Sequence, residues 1–127
     1  MSAPPVAPEE LLQVARTLCR RPDPNLAGRW PRASALLARQ ALEQALDDYW
    51  QLRRPEVARV QAQHPKLLCL PTYLDSPAAR TAAQTWVALS HACHHHAYDL
   101  SPTAEELDSW FDDVEEVLGV LRGAVEP

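Results

Sequence analysis

The chain has 127 residues, which is enough for one compact core. Alanine and leucine supply 38 of them, isoleucine is absent and glycine occurs 3 times. This composition favours helices and argues against a sheet protein, which draws on β-branched residues. No apolar run approaches the roughly 20 residues that cross a membrane, the first residues lack the layout of a secretory signal, and the 3 cysteines form no CxxC pair. We therefore expect a cytoplasmic protein with reduced thiols and no membrane contact.

The net charge of −5 is divided unevenly along the chain. Residues 1–66 carry 10 basic and 7 acidic side chains, a net of +3, whereas residues 67–127 carry 2 basic and 10 acidic, a net of −8. An acidic chain is a poor general binder of nucleic acid, because affinity for a polyanion comes from neutralising phosphates. Contacts with RNA would therefore use arginines of the first half, and Arg39, Arg53 and Arg54 are the candidates.

Proline divides the chain into windows that suit helices. Proline breaks a helix interior but is tolerated in its first turn, and each of three proline-free windows could hold a helix of roughly 30 Å. These windows are 32–54, 78–101 and 103–126. A shorter helix is predicted over 8–21, after a disordered tail at 1–7 and before a loop at 22–30. Its apolar face is Leu11, Ala15 and Leu18.

After the helix at 8–21, the next two helices are predicted from apolar residues at spacings of three and four. The second, about 31–54, has one face to bury: Ala35, Ala38, Leu42, Ala45, Leu46 and Tyr49. A weaker helix is predicted at 56–63, and 64–75 is interpreted as a buried connector with one helical turn. The third long helix opens with Ser76 as its N-cap and Pro77 in its first turn. Its apolar stripe is Ala82, Trp86, Leu89, Cys93 and His96.

The last helix has the clearest pattern. Either Ser101 and Pro102 cap it, or Thr103 and Glu106 form a capping box. Its apolar stripe is Leu107, Trp110, Phe111, Val114, Val117, Leu118 and Leu121. Four long amphipathic helices with short connections predict a single all-α domain over 8–127, an antiparallel bundle of four to five helices.

Four of the five histidines fall within residues 91–96. Histidine is neither a strong helix former nor a preferred core residue, so packing does not explain the cluster. It is the natural proton-transfer group at neutral pH and the commonest metal ligand. On a helix His91 and His96 lie about 140° apart. They can act on one substrate atom if the helix ends between them or if two subunits share a cleft.

Three interpretations of the cluster remain open. The i,i+4 pair of His91 and His95 has a metal-ligand spacing, although no third ligand is evident in the sequence. The histidines could instead cap the helix end, where an imidazolium complements the helix dipole. The third interpretation is acid–base chemistry on RNA. Cys93 is expected to be a small buried residue, or a nucleophile if its histidine neighbours lower its pKa.

The order of long helix, connector, long helix with a terminal His-x-Tyr stretch, turn and final amphipathic helix resembles the HEPN superfamily over roughly residues 31–122. Members are helical bundles, often homodimers, found in toxin–antitoxin, defence and RNA-processing systems. Their signature is an arginine followed four to six residues later by histidine, often with x-Tyr after it. His96 and Tyr98 match this signature, but His91 stands where the arginine would be. Arginine is a permanent cation suited to phosphate, whereas histidine near pH 7 is only partly charged.

The resemblance implies a metal-independent endoribonuclease that needs no cofactor. His96 would take the proton of an RNA 2′-hydroxyl, and Tyr98 would orient the phosphate or base. His91 or its symmetry mate would either protonate the leaving 5′-oxygen or stabilise the phosphate charge. The products would carry a 2′,3′-cyclic phosphate. It also implies a homodimer. Because the arginine is replaced, the activity is either retained or degenerate, and the alternative is a non-catalytic interaction module that binds a separately encoded partner protein. A second alternative is a histidine-cluster metal-binding protein.

Overall fold

A computed structural model describes residues 6–21, 29–94 and 100–125. Within these ranges every regular element is a helix, which confirms the all-α prediction. None of the described helices is long and apolar enough to cross a membrane. The helices are α1 (Pro8–Arg20), α2 (Trp30–Arg53), α3 (Pro55–Ala58), α4 (Gln63–Cys69), α5 (Ser76–Cys93) and α6 (Ala104–Val125), with a 3₁₀ turn at Leu70–Thr72 between α4 and α5.

The four longest helices pack on one another, and α2 and α6 each contact the other three. The helix α2 runs opposite to α5, because Glu43 in the middle of α2 accepts a hydrogen bond from Trp86 of α5, and Trp50 near the end of α2 contacts Tyr73, which precedes α5. The first turn of α2 therefore lies beside the last turn of α5. This arrangement brings His91 and His94, the described histidines of the cluster, to the start of α2.

The predicted face of α2 is buried in full. Leu42 and Leu46 are 0 % exposed, and burying a leucine side chain contributes about 1.5–3 kcal/mol. Three alanines on the same face let the neighbouring helices approach closely. The described residues of the predicted α6 stripe are also buried, except for Trp110, which is half-buried.

The helix α1 ends at Arg20, and its predicted apolar face is wrong in part. The buried residues are Leu12, Ala15 and Cys19, whereas Leu11 and Leu18 are half-buried. Two of the three buried positions are thus one residue later in the sequence than predicted, because the helix is rotated about its axis. In that orientation Arg16 reaches α6, where its guanidinium pairs with two carboxylates. Of the predicted tail and loop, residues 1–5 and 22–28 lie outside the described residues.

The segment between α2 and α5 is more helical than predicted. The predicted helix at 56–63 is shorter, spanning Pro55–Ala58, and the connector contains α4 and the 3₁₀ turn. Not all of the connector is buried, since Leu68 is 66 % exposed. One charged residue is buried instead: Lys66 is 3 % exposed and its Nζ lies 2.7 Å from Oδ1 of Asp47 on α2. This ion pair fastens the connector to α2.

The starts of α5 and α6 are built differently. Ser76 is already helical, and Asp75 is the N-cap of α5 without a side-chain hydrogen bond, so the predicted Ser76 cap is wrong by one residue. At α6 the capping box is confirmed. The backbone N–H of Glu106 donates to Oγ1 of Thr103, and the backbone N–H of Thr103 donates to Oε1 of Glu106, both at 3.1 Å. The first turn of α6 is thereby fixed.

Candidate functional site

A cleft of about 400 Å³ lies where the start of α2, the end of α5 and the start of α6 meet. The helix α5 ends at Cys93, and His94 is extended, with φ −83° and ψ 137°. Its N–H donates to the carbonyl oxygen of His91 at 3.2 Å. The polar and aromatic side chains of the cleft wall are Arg32, His91, His94, Ser101, Thr103, Glu106 and Trp110.

Each helix contributes a different group to this cleft. Arg32 follows Pro31 in the first turn of α2 and is half-buried, whereas His91 and His94 at the end of α5 are exposed. On α6, Thr103 and Glu106 hold each other through the capping box, so these two side chains brace the wall. The side chains whose chemistry suits ligand binding are therefore the guanidinium of Arg32 and the imidazoles of His91 and His94.

The charges of the cleft suit a small oxyanion. A guanidinium is a permanent cation whose planar fork of donors matches phosphate. The start of α6 adds the partial positive charge of a helix N-terminus, which the carboxylate of Glu106 on the same wall offsets. Imidazoles can donate a hydrogen bond to an anion and can also transfer a proton near neutral pH. The cleft thus combines a phosphate-binding group with proton-transfer groups.

Two acidic side chains of α6, Asp112 and Glu115, are turned away from the cleft, whereas Glu106 lines it. Arg16 of α1 lies 3.0 Å from Asp112 and 2.8 Å from Glu115. Around the α6 axis these two carboxylates are about 200° and 140° from Trp110, which lines the cleft. The carboxylates of Asp112 and Glu115 are therefore not part of the cleft wall.

Of the predicted catalytic residues, His91 lines the cleft, and His96 and Tyr98 lie outside the described residues. The predicted metal pair is described only in part, since His95 also lies outside. Over the described part of the chain, no group of three or more His, Cys, Asp or Glu side chains could hold a metal ion. The described residues thus supply no candidate metal centre.

The three arginines predicted to bind phosphate do not line the cleft. Arg39 is half-buried, and its Nε lies 3.2 Å from Oε1 of Glu43, the same carboxylate oxygen that accepts the indole N–H of Trp86 at 3.2 Å. Arg53 and Arg54 lie at the far end of α2. At 1.5 Å per residue, Arg53 is about 30 Å along the helix from Arg32.

Arg32 is the site residue that the prediction missed. The first turn of α2 contains no acidic residue, and a cation there opposes the helix dipole, which favours negative charge at an N-terminus. The position of Arg32 just after Pro31 was therefore a signal, because a locally unfavourable charge often serves a site. The sequence does not show that the end of α5 lies beside Arg32, and the structure does.

The described surroundings of Cys93 raise the pKa of its thiol, which is the opposite of the shift expected for an activated nucleophile. Burial raises the pKa of its thiol, the carboxylate of Glu43 raises it further, and Arg39 opposes these effects. The hypothesis that neighbouring histidines lower this pKa is wrong. Cys93 belongs instead to the interface between α2 and α5, where it packs against the core.

Comparisons of the chain with protein-family models, with curated proteins and with solved structures find no match. Function is therefore inferred from the cleft, its charges and the residues that line it. The side chains suited to proton transfer and phosphate binding are the histidines of the cluster and Arg32.

Proposed function

We propose that this protein is a HEPN-like, RNA-directed protein with an antiparallel helical bundle, and that its cleft is the site of a metal-independent endoribonuclease. The observation that supports this proposal is that Arg32 and His91 line one cleft. The superfamily signature places a permanent cation about one and a half turns before the catalytic histidine. Here α2 supplies that cation from a different helix, so the exchange of arginine for His91 leaves the cleft with a phosphate-binding group.

In the proposed reaction an imidazole of the cluster, His96, takes the proton from an RNA 2′-hydroxyl. The 2′-oxygen attacks the adjacent phosphorus, and the bond from phosphorus to the 5′-oxygen breaks. His91 or its counterpart in a second subunit gives a proton to that leaving oxygen. Arg32 stabilises the charge on the non-bridging phosphate oxygens, and Tyr98 orients the phosphate or base. The products are a 2′,3′-cyclic phosphate and a 5′-hydroxyl, and no metal takes part.

The proposal includes a homodimer with the cleft near its interface. Leu100 lines the cleft and is 96 % exposed, and Val87 on α5 is 57 % exposed. A second copy that covered these two side chains would remove their apolar surface from water. A second copy would bring a second histidine cluster to the same place. Light scattering at micromolar concentration measures whether the mass is twice 14.2 kDa.

The test is cleavage of a fluorescent single-stranded RNA by untagged protein in the presence of EDTA. Because general acid–base catalysis contributes roughly 10²- to 10⁴-fold, His91→Ala and His96→Ala are each expected to lower the cleavage rate by a factor in that range. Arg32→Gln is expected to weaken RNA binding about 10- to 100-fold, since a hydrogen bond to a charged group contributes about 1.5–3 kcal/mol.

The matched controls are His64→Ala, an exposed histidine on α4, and Arg20→Gln, an exposed arginine at the end of α1. Neither residue lines the cleft. Both variants are expected to keep the rate and affinity of the unchanged protein. Cleavage at an unchanged rate by His96→Ala would refute its catalytic role, and EDTA-sensitive cleavage would refute the metal-independent mechanism. RNA binding without cleavage would assign the protein to the degenerate, binding class.

A further inference from the structure

A second cluster of cations lies at the opposite end of α2 from the cleft. The guanidinium carbons of Arg53 and Arg54 lie 5.6 Å and 5.9 Å from the centre of the Tyr73 ring. Nε of Arg54 also donates a hydrogen bond to the Tyr73 hydroxyl oxygen at 2.8 Å. This hydrogen bond raises the pKa of Arg54, so the side chain stays charged. Two cations are thus held against one aromatic ring.

The ring that holds these cations is itself anchored in the core. Trp50 is 0 % exposed and contacts Tyr73 edge to face, with ring centres 5.2 Å apart and planes at 85°. A guanidinium that lies over an aromatic face keeps its N–H groups at its edge, where they can meet a ligand. The cluster therefore combines a fixed platform with accessible hydrogen-bond donors.

The two arginines differ in what the fold requires of them. Arg54 joins the end of α2 to the connector through Tyr73 and lies 3.6 Å from Glu56. Arg53 is exposed and makes no ion pair with any described carboxylate. Its one described charge-dependent contact is with the face of the Tyr73 ring. A fixed, exposed and unneutralised guanidinium is suited to a phosphate.

The second cluster is related to the cleft through the geometry of α2. At 100° per residue, Arg53 points within about 60° of the direction of Arg32, and the two are about 30 Å apart along the axis. Arg39 lies between them on the same side of α2 and neutralises Glu43. The carboxylate of Glu43, which lies between the two arginines along α2, is therefore neutralised within the α2–α5 interface.

The geometry points to a second phosphate-binding site at Arg53 and Arg54 that holds the same RNA strand as the cleft. This inference rests on the proposed function, since it assigns a further contact to that substrate. With about 3.4 Å per stacked nucleotide, a strand must be roughly nine nucleotides long to reach both sites. The protein thereby selects single-stranded RNA above a minimum length, and shorter strands occupy the cleft alone.

The test measures binding of a 6-nucleotide and a 16-nucleotide single-stranded RNA by fluorescence anisotropy over a series of salt concentrations. Arg53→Gln is expected to weaken binding of the 16-mer about tenfold and to leave the 6-mer unchanged. The slope of log affinity against log salt should become shallower by about 0.7 for the 16-mer, as for the loss of one phosphate contact on a single strand. Arg20→Gln, an exposed arginine at the other end of the molecule, should change neither RNA.

A second variant guards against a folding artefact. Tyr73→Phe keeps the ring and removes the hydroxyl that accepts from Arg54, so it should give a smaller loss for the 16-mer than Arg53→Gln. Circular dichroism shows whether each variant retains its helices. If Arg53→Gln binds the 16-mer with unchanged affinity and slope while Arg32→Gln weakens both RNAs, the second site is refuted and the proposed function stands. If the unchanged protein binds neither RNA, both proposals fail.

Discussion

The capping box of α6 forms one wall of the cleft, and its contribution to stability can be measured. Thr103→Ala removes the hydroxyl that accepts the Glu106 N–H at 3.1 Å. Replacing an N-cap threonine by alanine costs about 0.5–2 kcal/mol, typically about 1. For a domain of this size, 1 kcal/mol lowers the melting temperature by roughly 3–5 °C. We expect that shift in thermal unfolding followed by circular dichroism, with the same loss in urea titrations.

The control for this prediction is Ser101→Ala, because the sequence alone allowed Ser101 and Pro102 to cap the helix. Ser101 is exposed and makes no cap hydrogen bond among the described residues, so its replacement should change the free energy of unfolding by less than about 0.5 kcal/mol. Glu106→Ala removes the reciprocal bond to the Thr103 N–H. The two losses should be non-additive, because each hydrogen bond holds the other in place. Equal stability losses from Thr103→Ala and Ser101→Ala would refute the assigned cap.

Two further predictions concern buried polar groups. Asp47→Ala is expected to lower the free energy of unfolding by about 3 kcal/mol, because it leaves the buried Lys66 unpaired; this is the low end for a buried ion pair, since Asp47 is partly exposed. Lys66→Met removes the buried charge itself and should cost much less. Equal losses for the two variants in urea titrations would contradict this prediction. In a variant that retains Cys93 as its single cysteine, the midpoint of alkylation against pH should lie above that of the same thiol in the urea-unfolded chain, since burial raises its pKa. Glu43→Gln should lower that midpoint and Arg39→Gln should raise it, and a folded midpoint at or below the unfolded one would refute the assignment.

The sequence predicts the parts of this fold that local chemistry determines. The capping box at Thr103 and the buried face of α2 follow from residue types at short spacings, and both are confirmed. The rotation of α1 does not follow from local spacing, because Leu11, Leu12 and Leu18 allow two apolar faces. The choice depends on a contact distant in sequence, in which Arg16 reaches the carboxylates of α6. Tertiary contacts override a local pattern wherever two faces are nearly equivalent.

The candidate site shows the same division between local and distant information. The histidine cluster can be recognised in the sequence, because packing does not require four histidines in six residues. The arginine that accompanies it in the cleft, Arg32, cannot be recognised in this way. Residues 54–75 are long enough for the chain to return along α2 in either direction, so the sequence did not decide which end of α2 lies beside His91. The hydrogen bond from Trp86 to Glu43 and the contact of Trp50 with Tyr73 establish the opposite direction.

That direction determines what each arginine of α2 can do. It places Arg32 in the cleft and leaves Arg53 about 30 Å away, so in the proposed reaction Arg32 can reach the reacting phosphate and Arg53 only a distant one. Arg39, between them, has its charge balanced by Glu43 and is committed to the α2–α5 interface. The three positions therefore have separable effects. Neutralising Arg32 should affect RNAs of every length, neutralising Arg53 should affect long RNAs alone, and neutralising Arg39 should act mainly on folding stability, because it leaves the partly buried Glu43 without its cation.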